Sequence, residues 1–128
     1  MVEFNLRRRS GFTLIELLLV LIILSLIASV AAPVVTKAIA KSKEAALKEN
    51  LFTMRRALDE YFSDKGVYPS SPDVLVEERY LRFVPVDPVT GDNDCNWIES
   101  TDSDLMGLQD VKSASTEQSL DGSTYEEW

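Results

Sequence analysis

Histidine is absent from the 128 residues, and cysteine occurs once, as Cys95. Without histidine the chain lacks the usual general base and the commonest zinc ligand, so serine-histidine and cysteine-histidine chemistries are excluded. A single cysteine can close no internal disulfide. Carboxylates are plentiful, with 21 Asp and Glu. No pair of them, however, sits in an apolar setting that would hold one member protonated as an acid. No catalytic residue is therefore assigned, and the chain does not read as an enzyme. Basic charge is also scarce. The formal net charge is −8, and no basic cluster occurs outside the first residues, which excludes nucleic acid as a partner. Between Asp92 and Trp128 ten carboxylates face one base, Lys112. Such a run forms a solvated face or offers oxygen ligands to a hard cation.

Charge is missing altogether from Leu17 to Thr36, a stretch of twenty positions. As a helix rising about 1.5 Å per residue it would cross a hydrocarbon core of roughly 30 Å. Arg7, Arg8 and Arg9 precede it, and basic residues ahead of an apolar run stay on the cytoplasmic side. What remains of the chain can form only one small domain with a modest core. A cleavable secretory signal would use Ser29-Val30-Ala31 before Ala32 as its cleavage site, whereas a plain anchor would not be cut. Neither accounts for Glu16, an acidic residue inside the apolar run, four positions after Phe12. A carboxylate deep in a bilayer costs about 2.5 to 3.5 kcal/mol, so it marks a function and needs a partner.

Gly11-Phe12-Thr13-Leu14-Ile15-Glu16, behind a basic leader and ahead of a long apolar run, resembles the prepilin processing motif shared by type IV pilins and type II secretion pseudopilins. The resemblance implies that a membrane peptidase cuts between Gly11 and Phe12 and then methylates the amino group of Phe12. It also implies that Glu16 pairs with the amino terminus of a neighbouring subunit during assembly. The leader holds Arg7, Arg8, Arg9 and Glu3, a net of +2, so its removal takes the side-chain charge from −8 to −10. On this reading residues 1–11 are a leader peptide, 12–36 a transmembrane and filament-core helix, and 37–128 a periplasmic globular domain.

Pro33 falls near the end of the apolar run, where the loss of a backbone donor is expected to kink or locally melt the helix. Similar pilins carry a proline at this point, which implies a role in assembly. Helical periodicity then resumes. Ile39, Ala46, Leu47, Leu51, Met54, Leu58, Tyr61 and Phe62 recur at three- and four-residue spacings and form the expected core stripe. Lys41, Lys48 and Arg55 lie on another face. Lys37, Lys41 and Lys43 follow the membrane run and read as filament contacts with acidic neighbours.

Gly66 is placed to end the helix in a left-handed cap. Pro72-Asp73 opens a short helix to about Arg79, and Leu81 to Pro85 runs extended into a turn at Asp87-Pro88-Val89-Thr90-Gly91. Asn96 to Glu99 and Met106 to Lys112 are expected strands, paired as a hairpin with Trp97 and Val111 facing the helix. The polar tail from Ser113 is closed by Tyr125 and Trp128. The expected fold is α+β and pilin-like, a long N-terminal helix packed on a small C-terminal hairpin.

Gly66-Val67-Tyr68-Pro69, Pro85-Val86-Asp87-Pro88, Asp110-Val111 and the segment Asp121 to Trp128 resemble the soluble domain of major pseudopilins. The Asp-Pro-Trp-Gly turn common there is Asp87-Pro88-Val89-Thr90-Gly91 here, and the usual calcium loop is not matched position by position. The resemblance implies a calcium ion at Leu120, Asp121 and Ser123, aided by Asp110, Ser113 and Ser115. It further implies a homo-oligomeric helical filament in the periplasm, anchored beforehand in the bacterial inner membrane. The implied partners are a prepilin peptidase and methyltransferase, minor pseudopilins, an inner-membrane platform protein and an assembly ATPase. A surface type IV pilin and a membrane-anchored periplasmic protein are the alternatives. Lone Cys95 favours the pseudopilin, because many type IV pilins close a C-terminal loop with a disulfide.

Overall fold

The computed structural model describes residues 10–128. The Arg7 to Arg9 leader segment lies outside them. Helix α1 runs from Leu14 to Lys65, a stretch without glycine and rich in Leu, Ala, Lys and Glu, which lose little side-chain freedom on forming a helix. It continues through Pro33, so the expected local melting does not occur. The missing proline N–H costs one hydrogen bond, at the carbonyl of Ser29, and a single lost bond leaves the flanking turns able to propagate. The chain divides into two compact units, one ending at Lys37 and one from Ala38 to Trp128.

Gly66 terminates α1 with φ +72°, and its N–H donates to the Phe62 carbonyl at 2.8 Å. A short helix α2 follows, Pro72–Glu77, with proline at its first position, where a backbone donor is not needed. It stops two residues before the expected Arg79. Arg79 itself adopts φ 66°, and bonds from Arg79 N to Val76 O at 3.1 Å and Tyr80 N to Leu75 O at 2.9 Å close the end as a Schellman motif. A non-glycine residue at that position is what hid the stop in the sequence.

Strands β1, Cys95–Glu99, and β2, Leu108–Ser113, form an antiparallel two-stranded sheet. Trp97 pairs with Val111, and the register shifts between Ile98 and Glu99. Both strands lie within two residues of their expected ends. The connection closes with Ser100 N on Gly107 O at 2.8 Å. Gly107 has φ +132°, and a Cβ there would sit 2.6 Å from the Tyr68 carbonyl oxygen, so only glycine permits this approach. The segment from Leu81 to Pro85, expected to run extended, bends at Arg82 and Phe83, and the tail forms a 3₁₀ turn at Tyr125–Glu127.

The core joins Leu47, Leu51, Met54, Ala57, Leu58 and Tyr61 of α1 to Leu75, Leu81, Leu108, Val111 and Tyr125. Each fully buried Leu or Val contributes on the order of 2 kcal/mol by leaving water. Trp97 is partly buried against this cluster. Three members of the expected stripe, Ile39, Ala46 and Phe62, are not in it. Ile39 is 52% exposed, Ala46 is also exposed, and Ala57 takes part instead. The reason is the reach of the C-terminal half, which meets α1 at Glu44, Lys48 and Arg55 and packs a core only from Leu47 upward. Phe62 is half-buried and stacks on Tyr68 at 4.5 Å.

Asp87 organises the loop between α2 and β1. Its side chain is only 1% exposed. One oxygen accepts from Val89 N at 2.7 Å and Thr90 N at 3.3 Å, and the other from Ser113 Oγ at 2.6 Å. A turn residue is thereby fastened to the end of β2. Asn50 Nδ2 donates to the Val86 carbonyl at 3.0 Å, which ties the same loop to α1. Removing the carboxylate strands these donors in a buried site, so Asp87→Ala is expected to cost about 3 kcal/mol. Thermal or denaturant unfolding of the detergent-solubilised protein measures this, and a loss below about 1 kcal/mol would contradict the assigned role.

Candidate functional site

Two regions carry the residues singled out in the sequence. The first is the start of α1. Gly11 and Phe12 precede the helix, Phe12 is 80% exposed, and among the described residues nothing lies within 4 Å of the Gly11 Cβ position. A glycine in such a setting leaves the Gly11–Phe12 peptide open to an enzyme. Thr13 caps the helix, its Oγ1 accepting from Glu16 N at 3.3 Å while its carbonyl accepts from Leu17 N at 3.2 Å. Thr13-Leu14-Ile15-Glu16 therefore has the spacing of a capping box, a signal present in the sequence that its reading as a processing motif overshadowed.

Glu16 stands in the first turn, where the exposed N–H groups and helix dipole favour negative charge. Among the described residues its carboxylate forms no ion pair and accepts no hydrogen bond. Around it the apolar side chains from Leu14, 82% exposed, to Val35 have no covering partner. The best 18-residue window of α1 has a mean hydropathy of 2.9, and the helix is long and apolar enough to cross a membrane. The few hydroxyls in this stretch bond back to the helix: Ser25 to Leu21 O at 2.7 Å, Ser29 to Leu26 O at 2.8 Å and Thr36 to Pro33 O at 3.0 Å. That hides their donors from hydrocarbon. Phe12 and Glu16 thus come together within about one turn, and Pro33 lies farther along the same helix.

The second region is the C-terminal loop. Asp121 accepts from Ser119 Oγ, from Ser123 N at 2.9 Å and from Ser123 Oγ at 2.7 Å. These hydroxyl and amide donors hold its carboxyl down to about 2, from the ordinary 3.8. Leu120 N and the Tyr125 hydroxyl both donate to Glu44 Oε1, at 2.6 and 3.0 Å. Burial, with Glu44 second, pushes the Tyr125 hydroxyl up to about 12. Lys48 lies over the Trp128 ring at 4.3 Å, and Arg55 donates to Asp110, to the Val111 carbonyl and to the backbone oxygen of Trp128.

Of the six residues expected around calcium, only Leu120, Asp121 and Ser123 share one turn. Asp110 is ion-paired with Arg55 at 2.9 Å. The Ser113 hydroxyl is spent on Asp87, and Ser115 Oγ accepts from Glu117 N at 3.3 Å. Among the described residues no three Asp, Glu, Cys or His side chains gather as a metal site. Calcium takes six to eight oxygens, and this arrangement does not supply a converging set. The Arg55 clamp and the Glu44 contacts, which hold the tail in its place, were not singled out; Glu44 had no spacing signal, and Arg55 was read as part of a polar face.

Cys95 is half-buried, and burial, then Asp87 and Asp94, raise its thiol. It is a protonated packing group rather than a nucleophile.

A family model described as the prokaryotic N-terminal methylation motif matches residues 6–32. The type II secretion system core protein G of Pseudomonas aeruginosa is 33% identical over 98 residues, 64% of this chain and 69% of that protein. The protein of the same description from Aeromonas hydrophila is 30% identical over 98 residues, 64% of this chain and 68% of that protein. The type IV major pilin protein PilA of Myxococcus xanthus is 43% identical over 66 residues, 52% of this chain but 30% of that protein. No solved structure gives a significant match.

The Asp121 turn sets a pH dependence. A carboxyl depressed in the folded state stabilises above its unfolded value and loses that contribution as pH falls through the folded one. Wild-type melting temperature is therefore expected to fall between about pH 4 and pH 2 partly through this group, whereas Asp121→Asn should start lower and fall less steeply over the same window. Identical pH profiles for the two proteins would show that the turn does not hold the loop.

Proposed function

The chain belongs to the type IV pilin-like family that includes the type II secretion system core protein G, a family of structural, non-enzymatic subunits, and on that premise we propose that it is a pseudopilin that polymerises into a periplasmic filament for protein secretion. The observation that carries this reading is Glu16, a single carboxylate in an exposed apolar helix, one turn from Phe12. Cleavage between Gly11 and Phe12 by a prepilin peptidase creates an ammonium at Phe12, which the same enzyme methylates. The new amino group of one subunit and Glu16 of the next then neutralise each other, so that two desolvation costs are offset together.

Before assembly the subunit waits in the inner membrane with its C-terminal domain in the periplasm. A platform protein and a cytoplasmic ATPase move it into the filament, which minor pseudopilins accompany. In the filament the apolar helices cover one another. Because lipid already solvates the same surface, burial alone supplies little net drive, and nucleotide hydrolysis gives the step its direction. Pro33 leaves one helical carbonyl unsatisfied and marks the place where α1 yields most readily during this transfer.

A surface type IV pilin is the second reading, favoured by the 43% identity to the Myxococcus pilin. Similarity to core protein G over 98 residues, reaching well past the N-terminal helix, favours the pseudopilin, as does the lack of a second cysteine to close a loop. Deletion of the gene separates the two: loss of protein secretion with surface pili intact supports the pseudopilin.

Gly11→Val is expected to leave a full-length precursor that retains Arg7 to Arg9, because a branched side chain blocks backbone access at the cut. Intact-mass measurement checks this, and a normal mature mass starting at methylated Phe12 would refute the assigned cut site. Glu16→Val should still be cleaved and should insert more readily into lipid, while filament growth falls by about tenfold or more through loss of the paired charge. Wild-type growth by that variant would show the pairing to be unnecessary.

A further inference from the structure

A groove of about 540 Å³ lies between α2 and the segment that follows it, lined by Asp73, Val76, Glu77, Phe83, Val84 and Asn93. Its lining combines two carboxylates with three apolar side chains and holds no cation. Asp73 and Glu77 stand one turn apart on α2, and Phe83 is 64% exposed. Phe83 therefore offers apolar surface in the same groove as two carboxylates, a pairing that an apolar face carrying one cation would complement.

On α1 the matching feature is the part of the expected core stripe that the fold leaves uncovered. Ile39, Lys43 and Ala46 are spaced i, i+4 and i+7, so they share one helix face. All three are exposed. The ion pairs among the described residues involve Arg55, Arg56 and Lys65, so Lys43 makes none. One face thus presents a lysine flanked by two apolar side chains, and the groove presents two carboxylates flanked by Val76, Phe83 and Val84.

We propose that the groove lined by Asp73, Val76, Glu77, Phe83 and Val84 receives the Ile39, Lys43 and Ala46 face of α1 from a second copy of this chain. Lys43 enters between Asp73 and Glu77, and Ile39 and Ala46 cover Phe83 and its apolar neighbours. The two surfaces are different patches of the same molecule, so the contact is heterologous and the pair keeps one free patch of each kind. A contact of that type propagates into an open helical array instead of closing as a dimer. Opposite charge on the two patches fixes the register and disfavours groove-to-groove pairing. The inference rests on the filament reading and names the head contact within it.

The test uses the full-length chain in cells carrying its assembly machinery. In a Cys95→Ser background, Ile39→Cys combined with Phe83→Cys is expected to give a ladder of covalent multimers on oxidation. Ile39→Cys combined with Gln109→Cys, whose second site lies outside the groove, should give at most dimers. In parallel, Lys43→Glu and the pair Asp73→Lys with Glu77→Lys should each lower filament yield by about tenfold, and the three together should restore it to within about twofold. Every site other than Cys95 is exposed, so detergent-solubilised variants should melt as their wild-type or Cys95→Ser parent; if a charge variant does not, the cysteine pair decides. Wild type that assembles while the Ile39 and Phe83 cysteines yield no more ladder than the control overturns this contact alone. Wild type that remains uncleaved at Gly11, or that never assembles, overturns the filament reading and the contact with it.

Discussion

An apolar helix with nothing folded against it has to find its solvent elsewhere. From Leu14 to Val35 the side chains of α1 are exposed within the chain itself, and water would not tolerate that surface. On the proposed function, lipid and other copies of the helix are the two environments that remain, and both satisfy hydrocarbon almost equally. Such a segment can therefore move between them at little cost, provided its polar atoms are managed. The serine and threonine hydroxyls bond to their own helix, and the Glu16 carboxylate is the one strong charge left over. Its discomfort in lipid distinguishes the two environments and gives the exchange a preferred end state.

From Leu47 onward the same helix changes its task and becomes one wall of a small core. The tail is held on that wall by a few charge-assisted bonds, from Arg55 to three acceptors and from Glu44 to two donors. Asp87 performs the corresponding work from the opposite side, joining the loop after α2 to the end of β2. A two-stranded sheet is marginal by itself. Here its stability comes from packing on α1 and from these buried or half-buried polar anchors, which also fix where each loop emerges.

Patterns with a single physical cause were legible in the sequence. The long helix, its end at Gly66 and the hairpin with Val111 buried follow from periodicity and backbone freedom. What was not legible depends on which part of the chain comes to lie over which. Ile39 and Ala46 have core spacing, yet no part of the head covers them. Asp110, Ser113 and Asp121 looked like one acidic loop, but Arg55 and Asp87 claim the first two. Arg79 ends α2 in a conformation usually left to glycine, so no composition signal marked the stop.

The bond between the Tyr125 hydroxyl and Glu44 joins positions 81 residues apart, and that separation dictates an order of events. Leu47, Leu51, Met54 and Leu58 emerge from synthesis long before the strands and the tail that will cover them. During that interval the upper half of α1 displays an uncovered apolar stripe, the condition under which chains aggregate or recruit a chaperone. Completion of the head must await the arrival of residue 125, and the long loop this bond closes slows that last step.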